Sequence, residues 1–215
     1  MSSTIPSSDT GRSPWSWLSR DHIAARLAQP AVPPGERDRH VIVLPPDTRI
    51  RLAAVLVPLI PREDEVHVLL TQRASHLKDH PSQISFPGGR VEAGDASRIE
   101  TALREAREEI GLQREHVSIL GTLPDYDMPS GFRISPVIGW IEPPVAMQID
   151  PVEVESTFEV PLSFLLDAAN HHYRSHDLNG GLRHYLAIPY QGRYIWGATA
   201  GMLRSLHRQL AGNSG

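Results

Sequence analysis

Apolar residues occur in strand-sized runs through the middle of the chain. Residues 51–60 (RLAAVLVPLI) are almost continuously apolar, which is typical of a strand buried on both faces. Residues 66–72 (VHVLLTQ) indicate a second strand, and the segment that follows them is polar and contains histidine. Further strands are predicted at residues 117–123, 134–141, 182–188 and 193–196.

Four segments have the spacing or the end signals of helices, namely residues 15–28, 96–110, 161–170 and 199–210. For the second of these, Asp95 or Ser97 is expected to cap the N-terminus, and Gly111 follows the last turn. Because helices and strands alternate irregularly, the pattern predicts an α+β fold, with a mixed β-sheet flanked by helices.

The N-terminal segment differs in composition from the rest of the chain. Its first 14 residues are rich in Ser and Pro, and the prolines at 30–34 break the helix predicted before them. We therefore expect a tail with a short helix over residues 1–40 and a single domain over residues 41–215. The start of the chain lacks an apolar signal-peptide core, and no apolar run approaches membrane-spanning length, so a cytoplasmic protein without membrane contact is expected.

Composition narrows the chemistry further. The chain has 21 Lys and Arg against 25 Asp and Glu, a net charge of -4, which argues against a dedicated nucleic-acid binder. It has no cysteine, so disulfides, thiolate metal sites and cysteine nucleophiles are excluded. An anionic small substrate remains compatible with this charge where local cations or a metal ion screen it.

The end of the second predicted helix carries the most informative residues. At 3.6 residues per turn, Glu105, Glu108 and Glu109 lie on one face, and Arg104 stands beside them. Like charges on adjacent turns repel, and the helix dipole disfavours anions near the C-terminus. A solvated charged face is one interpretation, and a site for a hard divalent cation such as Mg²⁺ is the other.

The surrounding residues favour the metal interpretation, because together they resemble the Nudix box. That box consists of Gly, five residues, Glu, seven residues, and then Arg-Glu-apolar-x-Glu-Glu-x-Gly-apolar. Gly89, residues 104–109 (REAREE), Gly111 and Leu112 match it. Two departures are Asp95 at the first acidic position and a gap of eight residues before Arg104.

A longer box and an upstream motif resemble the coenzyme A pyrophosphatase branch of the Nudix superfamily. The motif, L-L-T-x-R-[S/A]-x3-R-x3-G-x3-F-P-G-G, is kept in spacing over residues 69–89, with Arg73 at its first arginine. Lys78 replaces the second arginine, and Ser82 replaces a glycine that permits a positive-φ turn. The resemblance covers roughly residues 48–210.

The resemblance implies an α/β/α Nudix sandwich with the box as a loop–helix–loop, and a Mg²⁺- or Mn²⁺-dependent hydrolase. Glu105 and Glu109 are expected to bind the metal. Glu108 is expected to be a third ligand or to bind a second metal, and it is also a candidate catalytic residue. Arg104 is expected to hold these carboxylates in place. Metal-assisted attack by water also needs a general base, for which Glu153 and Glu155 are candidates in a predicted loop.

The resemblance also implies a substrate site upstream of the helix. The turn predicted at residues 86–89 would bring Phe86, Gly88 and Gly89 close to the substrate, and Arg73 and Lys78 are candidates for binding its phosphates. Histidines at residues 171–176 straddle a predicted helix end and lack a metal-binding pattern, so a structural role is expected for them.

Three functions remain open on the sequence. The first is hydrolysis of coenzyme A or acyl-CoA to a 4′-phosphopantetheine product and adenosine 3′,5′-bisphosphate, and the upstream motif favours it. The second is a Nudix hydrolase of ADP-ribose, NADH or a dNTP. The third is a non-catalytic ligand sensor, which the three retained glutamates disfavour. Each implies a small nucleotide partner rather than nucleic acid, and a homodimer is left open.

Overall fold

The computed structural model describes residues 18–34, 44–178 and 181–212, in which four helices and eleven strands form. The helices are α1 (Arg20–Leu27), α2 (Arg98–Ile110), α3 (Leu162–Leu166) and α4 (Gly197–Ala211). The strands of the main sheet are β1 (Arg51–Pro61), β2 (Val66–Arg73), β3 (Ile84–Ser85), β4 (Gly88–Arg90), β5 (Val117–Thr122), β6 (Tyr126–Asp127), β7 (Phe132–Ile141) and β8 (Val154–Pro161). The strands of a second sheet are β9 (His172–Leu178), β10 (Gly181–Tyr190) and β11 (Arg193–Trp196).

The eight-stranded sheet is mixed and is organised around β1. This strand runs parallel to β7 and antiparallel to β2 and β4. On the far edge of β7 lie β5 and β6, and β2 pairs with β3 and β8. The expected α+β class with a mixed, helix-flanked sheet is therefore confirmed.

Both faces of the sheet are covered by apolar side chains, as the run at residues 51–60 predicts. Along β1, Val55, Val57 and Leu59 face one core, while Leu56 and Ile60 face the other. This alternation follows from the two-residue period of a strand. Helix α2 covers the second face alone, and the other three helices and the small sheet cover the first.

The small antiparallel sheet packs with α4 on the first face. Leu186 and Ile188 of β10 and Ile195 of β11 are fully buried there. They meet Leu203 and Leu206 of α4, whose apolar stripe recurs at helical spacing. In the described part of the chain, no helix is long and apolar enough to cross a membrane.

The N-terminal helix α1 docks on the same core. Ile23 is fully buried, and Ser19 caps the helix by accepting a hydrogen bond from the N–H of His22. Gln209 of α4, which is buried, donates to the carbonyl oxygens of Arg26 and Gln29 and accepts from the N–H of Val32. One amide side chain thus satisfies several backbone groups of the segment that leaves α1.

Three sequence-based predictions about local structure are wrong. The turn expected at residues 86–89 instead leads into strand β4, because extended Gly88 and Gly89 pair with β1. Glu155 lies in strand β8 rather than in a loop. The helix expected over residues 161–170 stops at Leu166, because Asp167 is extended and its carboxylate accepts from the N–H of Ala169.

The histidine-rich segment after α3 is also different from the prediction. Residues 168–170 form a single 3₁₀ turn, and β9 begins at His172 and pairs along β10. The segment therefore follows the end of a 3₁₀ helix instead of an α-helix, and most of it lies in a strand. Sheet pairing with a strand distant in sequence decides its conformation, and a local pattern does not contain that information.

Replacement of Gln209 by alanine should loosen the N-terminal segment. The substitution removes the three hydrogen bonds that this buried amide makes to Arg26, Gln29 and Val32, so the free energy of unfolding should fall by roughly 2–3 kcal/mol. Urea unfolding of the full chain measures this change. Gln113→Ala, at an exposed position, is the matched control and should change it by less than about 0.5 kcal/mol.

Candidate active site

Helix α2 presents its carboxylates through well-defined ends. Ser97 caps the N-terminus by accepting from the N–H of Glu100, and Gly111 at the C-terminus has a φ of 69°. Ala102, Ala106 and Ile110 pack on the sheet. This packing fixes the rotation of α2 and therefore the direction in which its glutamates point.

The Arg104 guanidinium connects most of the polar groups on this side of the sheet. It forms ion pairs with Asp95 at 3.0 Å, Glu105 at 2.9 Å and Glu108 at 3.0 Å. It also donates to the backbone carbonyl of Arg90 at 3.0 Å. Arginine suits this position because its planar fork offers five donors, whereas lysine has only three.

Asp95 holds the loop between β4 and α2. Its carboxylate accepts two hydrogen bonds from Arg104, one from the hydroxyl of Thr101 and one from the N–H of Glu92. Its side chain is 6% exposed. The Arg104 fork, followed by the other donors, holds the pKa of Asp95 well below its ordinary value.

Glu109 is the most deeply buried of the three helix carboxylates, at 3% exposed. Its pKa is raised to about 8, mainly by burial and also by the negative charges of Glu105 and Glu153. The positive charge of Arg73 and a hydrogen bond from the backbone N–H of Gly88 act in the opposite direction. The pKa of Glu105 is raised as well, mainly by burial. The negative charge of the carboxylates in this part of the site therefore exceeds the positive charge of the neighbouring cations.

Both glycines of β4 are required by close contacts. A Cβ atom on Gly88 would lie 2.6 Å from the Cα of Val55 on β1. A Cβ atom on Gly89 would lie within 2.6 Å of the carboxylate carbon and both oxygens of Glu105. Gly88 therefore allows the strands to pair, and Gly89 allows the Glu105 carboxylate to lie directly against the backbone.

The loop before β8 brings Glu153 to the carboxylates of α2. The N–H groups of Gln148 and Asp150 donate to the carbonyl oxygens of Ile110 and Glu109, so the loop caps the end of the helix. The negative charge of Glu153 affects both Glu105 and Glu109. Glu155 is exposed at a bulge of β8. Of the two candidate bases, Glu153 is the one whose charge acts on the cluster.

The upstream motif is divided between three environments. Arg73 ends β2 and its charge acts on Glu109, which brings it to the carboxylate cluster. Lys78 is exposed on the loop between β2 and β3. Phe86 is 2% exposed and belongs to the core, so its ring is not available to a ligand. Ser82 has a φ of 59°, so the left-handed turn expected of a glycine is kept by serine.

The donor chemistry of the cluster suits a divalent cation, because carboxylate oxygens are the ligands that Mg²⁺ and Mn²⁺ prefer. Glu105, Glu109 and Glu153 repel one another, which a cation would offset. Among the described residues, however, no three acidic, histidine or cysteine side chains are already arranged around one metal position. Arg104 holds the carboxylates of Glu105 and Glu108 in this structure.

Comparison with known proteins identifies the family. The NUDIX domain family matches residues 50–172, which is more than half of the chain and contains β1 to β8 with α2. The chain belongs to the Nudix hydrolase family. It is thus an enzyme of the class that hydrolyses nucleoside diphosphate derivatives, and Nudix hydrolases generally use divalent metal ions.

Relatives and solved structures agree with this assignment. The chain is 43% identical over 160 residues to NudL of Enterobacter sp. (strain 638), which covers 74% of this chain and 83% of the relative. NudL of Salmonella newport (strain SL254) is 39% identical over 160 residues with the same coverage, and both relatives are called uncharacterized Nudix hydrolases. RenU, a Nudix hydrolase from M. smegmatis, shares the fold with a TM-score of 0.51, 18% identity and coverage of 75% of this chain and 86% of its own.

Two parts of this Nudix hydrolase site were not predicted from the sequence. The first is the set of bonds around Asp95, which stands nine residues before Arg104 and was considered from the sequence only as a helix cap and as a departure from the box. The second is the docking of residues 148–150 on the end of α2. The last carbonyl groups of a helix have no partner within it. Because they need hydrogen-bond donors from elsewhere, they are the signal that could have indicated this docked loop.

The stability of this Nudix hydrolase should depend on Asp95 in a pH-dependent way. Because its pKa is lowered in the folded state, the carboxylate stabilises the fold fully above its unfolded pKa of about 3.9, and this contribution is lost as the pH falls further. Asp95→Asn should therefore lower the free energy of unfolding by roughly 2–4 kcal/mol at pH 7. Urea unfolding at pH 7 and pH 2 measures the difference.

The difference in the free energy of unfolding between the wild-type protein and Asp95→Asn should be smaller at the lower pH. Asp64→Asn, at an exposed position in the turn between β1 and β2, serves as the control and should stay within about 0.5 kcal/mol of wild type at both pH values. A difference of the same size at pH 7 and pH 2 would contradict the role of an ionised Asp95.

Proposed function

We propose that this Nudix hydrolase cleaves the diphosphate linkage of coenzyme A or acyl-CoA, giving a 4′-phosphopantetheine product and adenosine 3′,5′-bisphosphate. The observation that carries the proposal is the position of Arg73, the first arginine of the upstream motif, beside the carboxylates of α2. This position supports the proposal, because a cation of the coenzyme A motif near the carboxylates is suited to bind a diphosphate.

Glu105, Glu109 and Glu108 would hold Mg²⁺ or Mn²⁺, which supplies charge neutralisation at the diphosphate and acidifies a bound water. Arg104 orients the carboxylates of Glu105 and Glu108 through its ion pairs. Gly89 keeps the backbone close to Glu105, so the substrate can approach the carboxylates past a strand without a side chain. Arg73, whose positive charge lowers the pKa of Glu109, is suited to hold a diphosphate oxygen.

Glu153 is our candidate for the general base that takes a proton from the attacking water. Its charge acts on Glu105 and Glu109, and its carbonyl accepts from the N–H of Ala74, next to Arg73. This bond ties the loop that carries the base to the end of β2. Glu155 is exposed at the bulge, and we assign it no step.

The two cations of the upstream motif should have separable roles. Arg73 lies with the carboxylates and would bind the diphosphate that all candidate substrates share, whereas exposed Lys78 is free to meet the 3′-phosphate that distinguishes coenzyme A. Lys78→Ala should raise KM for coenzyme A roughly tenfold and leave KM for dephospho-CoA within about twofold. Arg73→Ala should impair both substrates to a similar extent.

Mass spectrometry of products from a substrate panel tests the proposal directly. Coenzyme A, acetyl-CoA, ADP-ribose, NADH and dNTPs are incubated with Mg²⁺ or Mn²⁺, and we expect adenosine 3′,5′-bisphosphate from the first two. If ADP-ribose or NADH is cleaved much faster than coenzyme A, the alternative Nudix activity is correct. If Lys78→Ala raises KM equally for coenzyme A and dephospho-CoA, its assignment to the 3′-phosphate is wrong.

Glu109→Gln should abolish turnover without unfolding the protein. Burial and neighbouring carboxylates oppose a charge at this position, so the free energy of unfolding without metal should be unchanged or rise by up to about 1 kcal/mol. Activity should fall at least about a hundredfold, and the increase in Tm on addition of Mn²⁺ should shrink. Glu115→Gln, at an exposed position, is the control. Activity within about threefold of wild type would remove Glu109 from the metal site.

A further inference from the structure

A cavity of about 470 Å³ lies between the loop that follows β2 and the small sheet. Its walls include Gln72 of β2, Ser82, Gln83, and Arg193, Tyr194 and Trp196 of β11. The family match ends at residue 172, so the wall formed by β11 lies outside the matched Nudix region. A volume of this size is in the range of small-ligand sites.

The β11 wall presents aromatic rings to solvent. Tyr194 is 44% exposed and Trp196 is 40% exposed, whereas Ile195 between them is fully buried, so both rings point away from the core. Trp196 packs edge-on against Tyr185, with ring centroids 5.7 Å apart, which supports its orientation. Exposed aromatic faces of this kind are suited to stacking on a nucleobase.

Polar side chains line the cavity beside these rings. Arg193 stacks 3.9 Å from the ring centroid of Phe158 and donates to Oε1 of Gln72. This bond orients the Gln72 amide through its oxygen. Among the described residues, the Nε2 group of Gln72 donates no hydrogen bond. The amide of Gln83 lines the same cavity. Amide donors and acceptors match the edge of a purine ring better than an alkyl chain.

The loop that closes the cavity is held in an unfavourable backbone conformation. His80 and Ser82 have φ values of 54° and 59°, which are uncommon for residues with a side chain. Such conformations persist where the surrounding structure imposes them, and they occur often at ligand sites. Here they bring residues 80–83 opposite the aromatic wall.

The cavity adjoins the carboxylate cluster through β2. Gln72 lines the cavity, and the positive charge of the next residue, Arg73, lowers the pKa of Glu109. The two sites are therefore connected by consecutive residues, whose Cα atoms are about 3.8 Å apart. Their side chains leave opposite faces of the sheet close to the edge formed by β3. A substrate bound at both sites would pass around this edge, with its diphosphate at Arg73 and its base in the cavity.

We propose that this cavity binds the nucleobase of the substrate, by stacking on Trp196 and Tyr194 and hydrogen bonding to Gln72 and Gln83. The inference rests on the proposed function only in requiring a substrate that carries a nucleobase. The pantetheine arm of coenzyme A would then extend away from the cavity. Trp196 and Gln72 are thereby assigned as specificity residues, separate from the carboxylates that carry the hydrolysis.

Binding of AMP to the full chain by calorimetry in the presence of Mg²⁺ tests the assignment, because AMP carries the base but no diphosphate to cleave. Trp196→Ala should weaken AMP binding about tenfold, and Trp196→Phe should stay within about threefold of wild type. Gln72→Leu, at a different wall, should also weaken it about fivefold. Tyr173→Ala replaces an exposed aromatic residue of β9 outside the cavity wall and should leave AMP binding unchanged.

A second probe, 4′-phosphopantetheine, separates the base from the other half of coenzyme A. Its affinity should be the same in Trp196→Ala and wild type. Unchanged AMP affinity in both Trp196→Ala and Gln72→Leu would overturn the assignment even if coenzyme A is hydrolysed. The assignment would also be overturned if Trp196→Ala lost 4′-phosphopantetheine binding and retained AMP binding. If AMP binding depends on Trp196 but coenzyme A is not cleaved, the assignment stands and the proposed substrate is wrong.

Discussion

One guanidinium connects the loop, the helix and the carboxylates of this Nudix hydrolase. Arg104 binds Asp95 on the loop before α2, the carbonyl of Arg90 at the end of β4, and Glu105 and Glu108 on its own helix. The position of β4 relative to α2 therefore depends on the same residue that orients two of the glutamates. This coupling matters because Gly89 of β4 lies against the Glu105 carboxylate with no room for a side chain.

The electrostatic consequence is an uneven distribution of charge along α2. Arg104 compensates the negative charge of Asp95, Glu105 and Glu108, whereas Glu109 lies deeper, where burial and Glu153 raise its pKa. Arg73 supplies part of the missing positive charge at that end. A divalent cation would neutralise the remaining negative charge of the carboxylates. The diphosphate of a substrate would then bring negative charge to that cation.

The sequence was most informative where structure is determined locally. Helix α2 and its ends were predicted because Ser97 and Gly111 act within one turn of the helix and because Glu105, Glu108 and Glu109 share a face by helical geometry alone. The long strands β1, β2 and β7 were predicted because their burial on both faces leaves continuous apolar runs. The short strands β3, β4 and β6 were not, since two or three residues carry no periodicity and their pairing partners lie far away in the chain.

The same distinction applies to the site. The glutamates of α2 were identified as a group, but the interactions that decide their properties come from other elements: Arg73 from β2, Glu153 from the loop before β8 and Gly89 from β4. The aromatic residues of β11 could not be predicted as part of a site from the sequence. They lie more than 100 residues after the loop at residues 80–83, and only the fold brings the two segments to one cavity. The glutamates of the Nudix box are thus contained in one local motif, whereas the surface that we propose to select a substrate is assembled from distant segments. For that reason a match to the Nudix box establishes the class of reaction, and the residues that surround it must decide which nucleotide derivative is hydrolysed.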